Sequence, residues 1–369
     1  MLEQLPDQAR KGRGAVSNRS GRFEPDTRIS VDDGWGVGEM LADEKARTSV
    51  TDEHPRTIIA RNTSPDIPFD RSIKPYRGCE HGCIYCFARP THAYYGLSAG
   101  LDFETKLFAK PNAAALLENE LRKPGYRPAT IQLGANTDPY QPIERTRRIT
   151  REVLDVLSRF NHPVGITTKS DMVVRDLDIL APMAEKGLAA VAVSVTTLDG
   201  GLARAMEPRC PTPTKRLAAV RQLADAGVPV AVMTAPLIPG LNDHEIETIL
   251  AEAAAAGAVA ADYILLRLPL EIHGLFEEWL QAHAPDRASK VMKLVRETRG
   301  GKAYDADYAQ RMRGTGVYAD LMRARFKLAL QKTGFTNRAA AGFRQRTDLF
   351  RVPLGTQAQP SLFEDLPEA

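Results

Sequence analysis

Three of the chain's four cysteines, Cys79, Cys83 and Cys86, fall within the run Arg-Gly-Cys-Glu-His-Gly-Cys-Ile-Tyr-Cys-Phe. A Cys-x3-Cys-x2-Cys loop can fold its thiolates onto one face and ligate three irons of a [4Fe-4S] cube. The fourth iron then has no protein ligand and is open to a cofactor or substrate. A cluster used only for electron transfer would normally have a fourth cysteine close by, whereas Cys210 is distant in sequence. Zinc is the competing occupant; it favours four ligands and would have to recruit His81, His92 or Cys210. Three clustered thiols with no second pair favour iron and sulfur.

Such a loop needs rigid walls, and the chain supplies them from Arg71 onward as short β-rich runs, each followed by an amphipathic helical pattern. The runs are Ser72 to Tyr76, Thr130 to Gly134, Val164 to Thr168, Ala189 to Val195, Val228 to Thr234 and Tyr263 to Leu268. Between the second and third, Thr146 to Phe160 places Ile149, Val153, Val156, Leu157 and Phe160 on one face at helical spacing. Pro213 and Thr214 open another helix, with Leu217, Val220 and Leu223 on its apolar side and Gly227 after its end. Strands alternating with helices predict parallel pairing through right-handed crossovers, and six units are too few for a closed eight-stranded barrel. In such architectures the loops at the strand C-termini carry the chemistry.

The cysteine run, with the aromatic Tyr85 before its third thiol, resembles the radical S-adenosylmethionine (SAM) superfamily. That resemblance implies an open (β/α)6 partial barrel, a [4Fe-4S] cluster and SAM, whose amino and carboxylate groups chelate the open iron. It also implies an electron donor and reductive cleavage of SAM to methionine and a 5'-deoxyadenosyl radical, which abstracts hydrogen from a substrate. The segments Gly134 to Glu144, Thr168-Lys169-Ser170 and Pro236 to Asp243 look like the spore photoproduct lyase branch, over roughly residues 65 to 285. By the same resemblance, Asn136, Thr137 and Asp138 would meet the amino group of SAM, although Asn-Thr-Asp-Pro is also a turn-forming string. Lys169 would meet the SAM carboxylate, with Arg216 a second candidate for that group. Ser194 would touch the ribose or methionine moiety, and Ile238, within Leu237 to Gly240, would pack on the adenine.

Photoproduct lyases place a hydrogen-donating cysteine after the second strand, and Gly134 to Asp138 contains none. That departure puts thymine-dimer repair in doubt. Cys210 could donate hydrogen from another loop, or be a packed, inert thiol.

With 369 residues, 43% of them hydrophobic, the chain suits one large α/β domain with extensions. The organisation expected is an extended arm over 1–65 with a short ordered patch near Trp35 to Leu41, the barrel over 66–285, a basic helical extension over 286–350 and a mobile tail over 351–369. The first residues, MLEQLPDQARKGRG, lack an apolar leader core, and three prolines break the apolar stretch Val228 to Leu241. A cluster of this type also needs a reducing compartment, so a cytoplasmic location is expected.

The overall charge of +3 is uneven: Arg287 to Arg351 holds sixteen Lys and Arg against five Asp and Glu. This suggests nucleic acid as partner, through counterion release from phosphates, or else a solvated basic face. Within it, a helix around Tyr318 to Leu330 is expected to cover the open barrel, with Arg311, Arg313, Arg323 and Arg325 able to follow a phosphate backbone. The terminal Gln359-Pro-Ser-Leu-Phe363 resembles the peptide by which bacterial replication and repair proteins dock on the sliding clamp, Gln359 as polar anchor and Leu362 with Phe363 as the apolar pair. The leading expectation is therefore a radical SAM enzyme acting on nucleic acid, in DNA repair or base modification. The alternatives are a nucleic-acid-binding protein with a structural metal site and a radical SAM enzyme that modifies a protein or peptide.

Overall fold

The computed structural model describes residues 3–4, 7–27, 31–32, 47–335 and 343–354. The expected patch at Trp35 to Leu41 and the clamp-like peptide with Gln359, Leu362 and Phe363 lie outside them. Among the described residues no helix is long and apolar enough to cross a membrane.

Six parallel strands form the frame: β1 (Arg71–Ile73), β2 (Ile131–Leu133), β3 (Val164–Thr168), β4 (Ala189–Ser194), β5 (Val230–Leu237) and β6 (Ala260–Leu265). They lie side by side in chain order. An antiparallel strand, Ile59–Arg61, adds to the outer edge of β1, and the sheet ends there and at β6 without closing, so the frame is an open partial barrel. The expected six runs all appear, with shifted ends for all but the third. Beside the frame, Lys106–Ala109 pairs in parallel with Ser49–Asp52 and antiparallel with Tyr76–Arg77, which roots the start of the cysteine loop in a second sheet.

Side-chain alternation sorts the strands into two faces. Val191 and Val193 of β4 and Val230 and Val232 of β5 join the apolar layer beneath helices α1 (Ala113–Leu121), α2 (Ile149–Arg159), α3 (Leu177–Glu185), α4 (Pro213–Asp225) and α5 (Ile246–Ala255). Inward, the residues are small: Ala192, Ala231 and Ala260 lie beside Met233, and Phe343 packs on this group. Helix α4 begins as its sequence requires, with Pro213 in its first turn and the Thr212 hydroxyl accepting from the Lys215 N–H.

After β6 come α6 (Ile272–His283), α7 (Pro285–Glu297) and α8 (Val317–Thr333). Helix α8 does not span the barrel's open side as expected. Phe326 packs on Tyr263 at 4.6 Å between centroids and Arg325 pairs with Glu247, so α8 lies on the outer face of β6 beside α5. The apolar residues Ala319, Met322, Phe326 and Ala329 set that choice by joining the main core.

The C-terminal segment 343–351 closes the end remote from the cysteines. Arg346 N–H donates to Gly187 O (2.9 Å) before β4, and Arg351 N–H donates to Phe160 O (3.0 Å). Phe350 packs there against Phe160, Tyr126 and His162. Burial holds the His162 pKa down to about 4, against an ordinary 6.5. The native imidazole is therefore neutral between those values while the unfolded one takes a proton. His162 should cost the fold about 3 kcal/mol as pH falls from about 6.5 to about 4. Denaturant melts across that window should show the loss, and His162→Gln should remove this part of the slope.

Candidate active site

The cysteine loop occupies the C-terminal mouth of the barrel, the end where the β2, β3, β4 and β5 loops also converge. Two glycines shape it: Gly78 at φ +70° and Gly82 at φ +66° adopt a backbone that side-chain-bearing residues rarely do. Arg89, fully buried, fixes the loop from beneath. Its guanidinium donates to the carbonyls of Gly82 (3.0 Å), Cys83 (2.9 Å), Ala99 and Gly100 and to the Glu104 carboxylate (2.5 Å). The other face of Glu104 accepts from Gly14 N–H (3.0 Å) and Ala15 N–H (2.8 Å). A Cβ on Gly14 would stand 1.9 Å from Gly82 O, so the arm passes against the cysteine loop at a point only glycine allows. The expected arm thus wraps the domain over residues 13–18, where Arg13 to Ser17 are all buried.

Cys79 and Cys83 are buried and Cys86 is half-buried. The three thiols sense one another: burial and the neighbouring Cys83 and Cys79 push Cys86 up to about 12. Cys83 is pulled the other way, below the ordinary thiol range, by a hydrogen bond from Cys210 and the charge of Lys169. Cys210 Sγ lies 3.8 Å from Cys83 Sγ, and burial with Cys83 beside it keeps its own thiol protonated. That separation also suits two thiolates on one zinc ion, about 3.8 Å for Zn–S bonds of 2.3 Å. Among the described residues, however, no three His, Cys, Asp or Glu side chains converge on a single-ion site. Of the histidines that zinc would recruit, His92 is engaged away from the thiols, whereas His81 lies between Cys79 and Asp138. His92 bonds Lys106 O (2.9 Å) and His81 pairs with Asp138 (3.3 Å).

His81 and Asp138 hold each other charged. Burial would discharge both, but their mutual attraction keeps His81 well above its usual range and Asp138 near about 2. Asp138 also accepts from Thr168 Oγ1 (2.7 Å), Lys169 N–H (2.8 Å) and Tyr140 N–H (2.9 Å), which joins the β2 loop to the end of β3. Thr137 donates to Tyr76 O (2.8 Å). Thr137 and Asp138 are thus bonded within the chain, Asp138 making the turn its string predicts. Asn136, with its amide turned to satisfy both ends, donates to Ala135 O and accepts from Lys74 Nζ (3.3 Å).

Glu207 is the residue that sequence reasoning passed over. Almost fully buried, it accepts from Tyr85 OH, from Thr196 Oγ1 (2.6 Å) and from Arg216 Nη2. Burial opposes its charge, but Arg216 and Lys169 overcome this and hold it at about 2. Arg216, also buried, donates in addition to Ser194 O (3.1 Å) and Pro211 O (2.9 Å). Tyr85 is thereby locked between the cysteines and Glu207, and Lys169 Nζ sits 5.7 Å from its ring centroid. Ser194 ends β4 with its hydroxyl unbonded among the described residues, and Ile238 is fully buried in the apolar cluster that holds Cys83 and Tyr85. Asn242 holds the loop bearing Ile238 by accepting from Ile238 N–H (2.7 Å) and donating to Thr196 O (2.8 Å).

The donor set fits a thiolate-held iron-sulfur cube: three thiols from one pinned loop, with cationic Lys169 and His81 beside them to balance thiolate charge. The four arginines expected to track a phosphate backbone are occupied within the chain. Arg311 pairs with Asp66, Arg313 with Asp262, Arg323 with Asp320 and Arg325 with Glu247, each at 2.6 Å.

A family model for the radical SAM superfamily matches residues 73–253. An uncharacterized protein of Mycobacterium tuberculosis (strain ATCC 25618 / H37Rv) is 39% identical over 232 residues, covering 62% of this chain and 68% of that protein. An uncharacterized protein of Methanocaldococcus jannaschii is 29% identical over 173 residues, covering 47% of this chain and 62% of that protein. Among solved structures, spore photoproduct lyase complexed with dinucleoside spore photoproduct aligns with a TM-score of 0.51 at 15% identity, covering 78% of this chain and 80% of that one. At that identity the likeness speaks to the fold.

Proposed function

The chain belongs to the radical SAM superfamily, and from that premise we propose that it is an enzyme acting on nucleic acid, in base modification or repair, with Cys79, Cys83 and Cys86 as the cluster ligands. The superfamily's cofactors are a [4Fe-4S] cluster and SAM, and its members need an electron donor. When bound, this pair supplies a 5'-deoxyadenosyl radical through one-electron cleavage of the sulfonium. The chain's own residues bind and orient. Lys169 presents an ammonium to the SAM carboxylate, Asn136 presents its amide oxygen to the amino group, and Ser194 presents its hydroxyl to the ribose or methionine moiety. Tyr85 and Ile238 form the apolar wall, while Arg216, through Glu207, keeps Tyr85 in place and is secondary to Lys169 as a carboxylate partner. Asp138 and Thr137 hold the loop that bears Asn136.

The observation that carries this proposal is the pinned three-thiol loop at the C-terminal mouth of a parallel barrel, between two cationic side chains. Nucleic acid as the substrate class is supported by the basic bias of residues 287–351 and by the lyase of similar fold, solved with a dinucleoside photoproduct. Anaerobically reconstituted protein should form 5'-deoxyadenosine from SAM and dithionite, and single-stranded or ultraviolet-irradiated DNA should stimulate it. Equal rates with and without every polymer would contradict the nucleic-acid assignment.

Cys210 is the proposed hydrogen donor, being protonated and beside Cys83. Cys210→Ala should leave iron content and SAM cleavage intact and lower the yield of the finished product. Unchanged product yield would remove it from the mechanism.

A further inference from the structure

A second group of charges, one of them buried, lies at the rim of the mouth, apart from the cysteine network. Lys110 follows the strand Lys106–Ala109, with its N–H bonded to Pro75 O (3.0 Å) and only 6% of the residue exposed. Across that junction Lys74, half-buried, extends from the end of β1 towards the Asn136 amide oxygen. Arg77 is the third cation, and Glu53 grips its guanidinium with both oxygens, at 2.7 and 3.0 Å. Both oxygens of Glu53 are thereby committed to Arg77. Among the described residues neither lysine forms an ion pair.

Burying an ammonium without a counter-charge is costly. The strain is visible in the titration of Lys110: burial with Arg77 and Lys74 nearby, opposed by Glu53, brings it down to about 8. Lys110 should still be mostly protonated at neutral pH, and its charge, with Lys74 beside it, has no paired carboxylate among the described residues. Compact ammonium groups just past the ends of two separate strands suit a tetrahedral anion with several oxygens, whereas a planar carboxylate is better matched by an arginine fork.

We propose that Lys74 and Lys110 bind a phosphoryl group of the substrate at the barrel rim. The site rests on the nucleic-acid assignment only for the identity of the molecule that carries the phosphate.

The test uses the full chain, with Lys74→Met together with Lys110→Met, which keeps the unbranched stem and removes the ammonium. The probes are inorganic phosphate, read by thermal shift, and a short fluorescein-labelled single-stranded DNA, read by anisotropy over a salt series. The double variant should bind the DNA about tenfold more weakly, with a salt slope reduced by about 1.4, and should lose stabilisation by phosphate. SAM binding to reconstituted Lys110→Met alone, measured by equilibrium dialysis, should be unchanged, since Lys110 does not touch Asn136. Phosphate stabilising only the wild type, with DNA bound by neither, would keep the site for a small phosphorylated substrate and end the nucleic-acid assignment. Equal DNA affinity, slope and phosphate response in both proteins would overturn the site and leave that assignment standing. No phosphate or DNA binding by the wild type would overturn it as well. Should the double variant not fold, Lys74→Met alone, at the half-buried position, gives the same readouts with a slope change of about 0.7.

Discussion

Replacing any one of Cys79, Cys83 and Cys86 with alanine should abolish SAM cleavage and strip the chain of most of its iron. Each thiolate is assigned one iron, and the loop supplies no spare. Cys210 Sγ is 3.8 Å from Cys83, but it comes from the loop before α4, where its N–H is tied to Glu207 O (3.0 Å), so it cannot follow a vacated ligand position across the site. The fold should survive, because the bonds that pin the loop run from Arg89 to the carbonyls of Gly82 and Cys83 and do not use sulfur. Circular dichroism should thus be unchanged while iron, sulfide and 5'-deoxyadenosine yield fall together. Cys210→Ala is the matched control and should keep all three. A cysteine variant that retained iron and cleavage would remove that residue from the ligand set.

Glu207→Ala should be the most damaging substitution outside the cysteines. It strands the Arg216 guanidinium, which is 1% exposed, and takes the acceptor from both Tyr85 OH and Thr196 Oγ1. Breaking a buried pair on one side costs about 3–5 kcal/mol, since the remaining charge has no water to turn to. Exchanging both Glu207 and Arg216 for leucine should cost less than Glu207→Ala alone. Denaturant melts of the two variants test this order, and a reversed order would mean that Arg216 is hydrated in solution. Loss of the Tyr85 anchor should also weaken SAM binding in the single variant at temperatures where it is still folded.

The frame was legible because its strands are runs of Val, Ile and Ala between strongly amphipathic helices, a pattern that depends on neighbours in sequence. Val164 to Thr168 was placed residue for residue, while β5 extends to Leu237 and β6 begins at Ala260, where small inward residues blur the period. The strand Ile59–Arg61 and the three-stranded sheet were missed: with two to four residues each, they carry no periodicity, and distant partners define them.

At the site, the cysteines announced themselves by spacing. Glu207 did not, because a carboxylate among Pro, Arg and Cys looks like a solvated loop until Arg216, Tyr85 and Thr196 fold around it. The nearest signal was Arg216, an arginine one turn into a helix that must bury that face. For the same reason the basic extension looked freer than it is: Asp66 and Glu247, which neutralise Arg311 and Arg325, lie 245 and 78 residues away.

The open iron is the feature from which the chemistry follows, and electron paramagnetic resonance of the reduced, reconstituted protein tests it most directly. Adding SAM should change the cluster's spectrum, and SAM labelled with nitrogen-15 at its amino group should add hyperfine coupling to it. A cluster signal that is identical with and without SAM would contradict the account, since every iron would then already be closed to the cofactor.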